Sequence, residues 1–125
     1  MEYNVPLTTF DLGIMAFLEG GQIMKEDSFR VTRICKTLGN PITFQIVEQL
    51  FKSPKTPTEL SRQLKRSIST ISGHLRHLRL CDLIRYKGKS GFIHYSVKYK
   101  KETEELVSVL RKIVHTSSKD PHQQS

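Results

Sequence analysis

Six positions between 69 and 77 have the right types and spacing to do chemistry. Ser69, Thr70, Ser72, Gly73, Arg76 and His77 fall in one short run, Ser-Thr-Ile-Ser-Gly-His-Leu-Arg-His. Hydroxyls that both give and accept hydrogen bonds, a glycine without a side chain, a forked cation and an imidazole suit the donor and acceptor pattern of base edges in a major groove. A second set supplies charge. Arg62, Lys65, Arg66 and Ser67 stand just before the run, and Lys87 and Lys89 follow it. Such groups hold phosphate oxygens, which position a protein on a duplex without reading its sequence.

A helix, a tight turn, a second helix and a hairpin would place both sets together, and residues 56–97 have that pattern. Thr56 sits at an N-cap, Pro57 at the first helical position, and Glu59 three residues after the cap, which is capping-box spacing. Leu60 and Leu64 give this helix its apolar stripe, and it should stop near Lys65 and Arg66. Ser67 is then a second N-cap with Thr70 three residues on. Ile71, Leu75 and Leu78 recur at i, i+4 and i+7 as a buried face. At about 100° per residue the opposite face carries Ser69, Gly73, Arg76 and Leu80, flanked by Ser72 and His77. Ile68 could touch a thymine methyl, but on the wheel it leans toward the core side and is expected to pack, and Leu80 to be covered by the wing or a partner subunit. Leu83–Lys87 and Phe92–Val97 are strand-like, with Gly88-Lys89-Ser90-Gly91 as the turn between them. The expected fold is mainly α with a small β-hairpin wing, a winged helix-turn-helix.

Charge follows the same division. Residues 52–101 hold thirteen Lys or Arg and two acids, a local balance of +11; with the whole chain at +8, the remainder is −3. A basic footprint of this kind draws in polyanions and makes affinity fall with salt.

The flanking segments read as helices. Thr8–Leu18 is apolar-rich and should end at Gly20 and Gly21. Asp27 or Ser28 can cap a helix that runs to Leu38, and Asn40 and Pro41 restart the chain as cap and first turn of the next. In that next helix Ile42, Ile46, Val47, Leu50 and Phe51 make a stripe that should form the floor under the helix-turn-helix. A last helix is expected from about Lys101 to His115. Its apolar residues Leu106, Val107, Val109, Leu110, Ile113 and Val114 cover a face wider than one packing surface needs, which suggests a second subunit. The expected organisation is thus 1–28 an N-terminal helical extension, 29–98 the winged domain, 99–115 a dimerisation helix and 116–125 a disordered tail.

Three stretches resemble the ArsR-type transcriptional repressors. Leu38-Gly39-Asn40-Pro41 with Ile42–Phe51 looks like a helix of that family. Ser67-Ile68-Ser69-Thr70-Ile71-Ser72-Gly73-His74-Leu75-Arg76-His77-Leu78-Arg79 looks like its recognition helix, and Cys81-Asp82-Leu83-Ile84 is similar to its small-Gly-Leu-Val lead into the wing. The resemblance covers roughly Arg33–Val97, about half the chain. It departs at Ile68, where the family is usually polar, at Gly73, often His, and at Asp82, commonly Gly. Asp tolerates a left-handed backbone better than most residues. The resemblance implies a homodimer joined through N- and C-terminal helices. A two-fold dimer reads two half-sites about one turn of DNA apart, roughly 34 Å.

Many members of that family release DNA on binding a metal, but neither of their common sites carries over. The segment Thr58–Leu64 has no Cys or His, and Glu102, Glu105 and His115 lack the ligand spacing. His74 is read as partly packed and His77 as flanking the groove. Cys81 is expected as a small buried hydrophobe, and Cys35 is a candidate redox residue near the possible interface. No cofactor, metal or effector is assigned. No catalytic constellation stands out, and Glu19-Gly20-Gly21 lacks the Lys-Ser/Thr of a phosphate-binding loop. Two cysteines make no disulfide framework, the first residues lack the basic start of a signal peptide, and no apolar run approaches the roughly 20 residues that span a bilayer. The expectation is a cytoplasmic, non-enzymatic, sequence-specific regulator of double-stranded DNA, most simply a repressor. The alternatives are a non-specific, chromatin-type nucleic-acid binder and a winged-helix protein-interaction module.

Overall fold

The computed structural model describes residues 25–119. The N-terminal helix expected over Thr8–Leu18, its dimer contact and the end of the tail lie outside the described residues. The elements run α1 (Glu26–Leu38), α2 (Pro41–Lys52), α3 (Pro57–Leu64), α4 (Ile68–Leu80), β1 (Ile84–Lys89), β2 (Phe92–Val97) and α5 (Lys100–Lys119).

Side-chain caps set most of these boundaries. Asn40 Oδ1 accepts from the amides of Ile42 and Thr43, at 2.9 and 3.2 Å, and Pro41 opens α2. Thr56 and Glu59 form the reciprocal capping box of α3, each bond 3.1 Å. Hydrogen bonding from Thr56, its backbone amide first and then its side chain, holds the Glu59 carboxyl below its usual range. Lys65 ends α3 in the left-handed region at φ 54°, and Ser67 Oγ caps α4 through the Thr70 amide at 3.1 Å.

One core joins the elements. Ile46, Val47 and Leu50 of α2 form its floor, as the stripe predicts, with Ile42 and Phe51 packed at its edge. Leu60 of α3, Ile71, Leu75 and Leu78 of α4, and Leu38 of α1 lie on that floor. Cys81, Leu83, Ile84 and Val97 close the core where the wing departs. Asp82 takes the left-handed conformation at φ 65°. Its carboxylate accepts from Lys98 Nζ at 2.8 Å and from the Tyr99 hydroxyl at 3.2 Å, which fastens the start of the hairpin to its end. The hydrogen bond to Asp82 pushes the Lys98 ammonium up.

Several boundaries differ from the expected ones. Helix α1 begins at Glu26, with Lys25 at the cap and no side-chain oxygen in that role; Glu26 and Asp27 lie in the first turn, where the helix dipole favours acids. The strand β1 runs to Lys89, so the turn is only Ser90-Gly91, in register between Lys89 and Phe92. Both turn residues have positive φ, 53° and 79°, the requirement of a tight two-residue hairpin turn. Helix α5 continues past His115 to Lys119, and Ser118 Oγ donates back to the Val114 carbonyl at 3.0 Å. Lys55 adds a third rung beside the wing, exchanging backbone hydrogen bonds with Tyr95 at 3.0 and 2.8 Å.

Among the described residues, only one flank of α5 is covered. Val107 and Thr103 are buried, and Arg111 pairs with Glu48 and lies over the Phe44 ring at 5.7 Å. Leu106, Val109, Leu110, Ile113 and Val114 are exposed.

Candidate nucleic-acid interface

Helix α4 is the centre of the site. Its buried side, Ile71, Leu75 and Leu78, fixes its rotation, so Ser69, Ser72, Gly73 and Arg76 all come out exposed along one open flank. A Cβ built on Gly73 would meet nothing within 4 Å, so the glycine is not required by packing. Thr70 and His77 are exposed too and, seven residues apart, share one side of the helix. The Thr70 hydroxyl is also taken up locally, accepting from Ser67 Oγ at 2.9 Å. Along the helix the base-edge set divides into Ser69, Thr70 and Ser72 toward its start and Gly73, Arg76 and His77, which border a cavity beside α1.

Phosphate-type cations border the helix at both ends. Arg62, Lys65, Arg66 and Ser67 are exposed around the turn between α3 and α4. Arg85, Lys87 and Lys89 alternate along β1 and so point to one face of the wing. The wing is tied to α4 by Arg79, whose guanidinium lies 4.5 Å from the centroid of the Tyr86 ring. The sequence reading missed that tie, because nothing in the spacing of Arg79 and Tyr86 shows that the wing folds back on the helix.

The flank beside α1 holds a second unforeseen feature. A cavity of about 600 Å3 opens between α1, the start of α2 and α4, lined in part by Arg33, Lys36, His74, Arg76, His77 and Leu80. Arg33 is buried and donates to the Leu80 carbonyl at 3.2 Å. Leu80 is half-buried and meets α1 through its carbonyl. His74 is partly packed, as expected, with Nδ1 3.1 Å from Thr43 Oγ1. Burial, and then the charges of His77 and Arg66, push its pKa down and favour the neutral ring. Lys36 and Arg33 are three apart on α1, the one signal that they share a face.

Two expectations about small side chains part company here. Cys81 is buried, and burial pushes its thiol up, as an inert hydrophobe requires. Ile68 is not buried as expected: it is 50 % exposed, outside the buried core that Ile71 enters. Cys35 is exposed on α1. Among the described residues no group of three or more His, Cys, Asp and Glu side chains comes together, and no helix is long and apolar enough to cross a membrane.

The sequence of this interface matches a known family. Residues 40–86 fit the model of the bacterial regulatory protein, arsR family. That span of the chain is similar to the DNA-binding part of this family. Solved structures agree. HlyU from Vibrio cholerae N16961 is 27 % identical, with a TM-score of 0.61 over 70 % of this chain and 97 % of that one. NolR from Sinorhizobium fredii shares the fold at 22 % identity and a TM-score of 0.64, covering 74 % and 95 % of the two chains. So does the homodimeric winged helix-turn-helix domain of Mb0332 from Mycobacterium bovis, a possible ArsR-family regulator, at 17 % identity and a TM-score of 0.65 over 77 % and 90 %. No curated protein matches. The ArsR family is one of transcriptional regulators rather than enzymes, and the matched span runs from the Asn40 cap to Tyr86 in the wing.

Proposed function

We propose that the chain is a sequence-specific transcriptional regulator of double-stranded DNA, acting as a homodimer and most simply as a repressor, by binding rather than catalysis. One observation carries the reading: the open flank of α4 presents Ser69, Ser72, Gly73 and Arg76 between two groups of exposed cations. Base-edge contacts would come from that flank, with Thr70 and His77 beside it. Phosphate contacts would come from Arg62, Lys65, Arg66 and Ser67 at one end and Lys87 and Lys89 on the wing. Dimerisation is supported by the uncovered apolar row on α5 and by the homodimeric state of the Mycobacterium bovis domain of the same fold. The N-terminal segment would complete that contact. Two free cysteines fit a reducing, cytoplasmic setting.

The test is fluorescence anisotropy at about 0.15 M salt, near physiological ionic strength. One duplex is the DNA upstream of the protein's own gene and the other a shuffled copy. A specific regulator should prefer its operator by about a thousandfold or more. Equal binding to both, with no consensus emerging from random-sequence selection, would mean a non-specific chromatin-type binder. No retention on any duplex would turn the basic face toward a protein partner.

A further inference from the structure

Ile68 is the first residue of α4 and stands with its side chain half open to solvent. Its neighbours Ser67, Ser69 and Thr70 are polar and exposed, and Arg62, Lys65 and Arg66 surround the same turn. An isoleucine gains nothing from water, and its β-branch gives no advantage in helix propensity. Its burial among the core residues stops one turn further on, at Ile71. Half of this apolar residue is therefore left open to solvent at the N-terminal end of α4, the end at which a recognition helix first meets base edges.

A major groove offers one prominent apolar group on its base edges, the C5 methyl of thymine. The rest of the α4 flank helps to bring Ile68 within reach. Its exposed neighbours Ser69 and Ser72, one and four residues on, are short, so little projects past Ile68 at this end of the helix. The surrounding cations complement the phosphates on either side and select DNA over an apolar protein surface as the occupant.

We propose that Ile68 is a specificity-determining residue that reads one thymine in each half-site by contact with its C5 methyl. The inference rests on the DNA-binding reading above and sharpens it: the operator must carry a thymine, not merely an A·T pair in either orientation, opposite the start of α4.

The experiment uses the full chain on a high-affinity duplex obtained by random-sequence selection. Each thymine is replaced in turn by uracil, which removes the methyl and keeps the hydrogen-bonding edge. For the natural protein, uracil at one thymine per half-site should weaken binding by about three- to tenfold, the scale of one methyl-sized apolar contact. Ile68→Ala should bind the thymine duplex more weakly by a similar factor and be indifferent to uracil at that site. Ile68→Val, which keeps the β-branch, should retain most of the thymine preference. A flat uracil scan would overturn the proposal, as would a uracil effect that persists in Ile68→Ala. So would a fall in thermal stability of Ile68→Ala joined to an unchanged operator preference, because Ile68 would then be a packing residue. All three outcomes leave sequence-specific binding intact. Selection that returns no consensus removes the DNA reading and this proposal with it.

Discussion

Arg76 and Lys87 are both exposed cations, yet they are placed for different tasks. Arg76 stands on the open flank of α4 among short side chains, where a forked guanidinium can take two acceptors of one guanine at once. Lys87 stands on the wing with Arg85 and Lys89 on the same face, where a point charge meets phosphate. Arg76→Ala should therefore cost about 1–3 kcal/mol on the operator and relax preference at one base pair, with little change on random duplex. Lys87→Ala should weaken operator and random duplex by the same factor and reduce the slope of log affinity against log salt by about 1. Anisotropy titrations of both variants on both duplexes across a salt series separate the two roles. Identical behaviour of the two variants would show that α4 does not enter the groove by this flank. Sequence alone led to Arg76, because rotation of a helix follows from its apolar stripe. It misplaced Ile68, because a helical wheel gives angle but not depth: Ile68 lies near the Ile71 side in angle and beyond the core along the axis.

At the scale of elements, the turn between α3 and α4 sets how the two helices meet, and Lys65 is its strained point. A left-handed residue other than glycine is costly, and φ 54° at Lys65 is offset by hydrogen bonds from the Lys65 and Arg66 amides to the Ser61 carbonyl. Lys65→Gly should raise stability by about 0.5–1 kcal/mol, the left-handed penalty less the extra chain entropy of glycine. The same variant loses a phosphate cation. Thermal unfolding should show a higher Tm while affinity falls on specific and random DNA alike; unchanged affinity would remove Lys65 from the interface. This turn was legible in the sequence because capping is local. Thr56 with Glu59, Asn40 with Pro41, and Ser67 with Thr70 each mark a boundary through residues three or fewer positions apart. The wing was less legible. Gly88 and Gly91 give the same turn signal, and only the cross-strand register, with Lys89 opposite Phe92, decides for Ser90-Gly91. The polar run Thr116–Lys119 read as tail because its propensities are weak, while the helix is carried through it by bonds such as Ser118 to Val114. The cavity beside α1 was invisible for a related reason: its walls come from three helices whose packing no local pattern encodes.

At the scale of the whole molecule, the side of α5 that the described residues leave open is the feature they do not account for. Val107, 5 % exposed, marks the face turned to α2, while Ile113 is 57 % exposed and Leu106, Val109 and Leu110 lie open beside it. At about 100° per residue, Leu106, Val109, Leu110 and Ile113 fall within a single sector next to the Val107 side, so they form a continuous stripe rather than scattered apolar residues. A stripe of that kind on a helix of 20 residues is what a two-fold partner would bury. The division of charge agrees, since the +11 of residues 52–101 reaches only Lys100 and Lys101 at the start of α5 and leaves the rest of that helix free of the excess. Replacing Leu110 and Ile113 together by Glu should leave helical content unchanged, because both side chains are already outside the core, yet convert the dimer to a monomer. The monomer holds one half-site without the tethered second event, so operator affinity should drop by roughly a hundredfold or more, while affinity for a single half-site changes little. Sedimentation equilibrium and anisotropy on whole and half operators measure these effects independently. A double variant that remains dimeric and keeps operator affinity would place the interface elsewhere and make the α5 stripe the docking surface of some other protein.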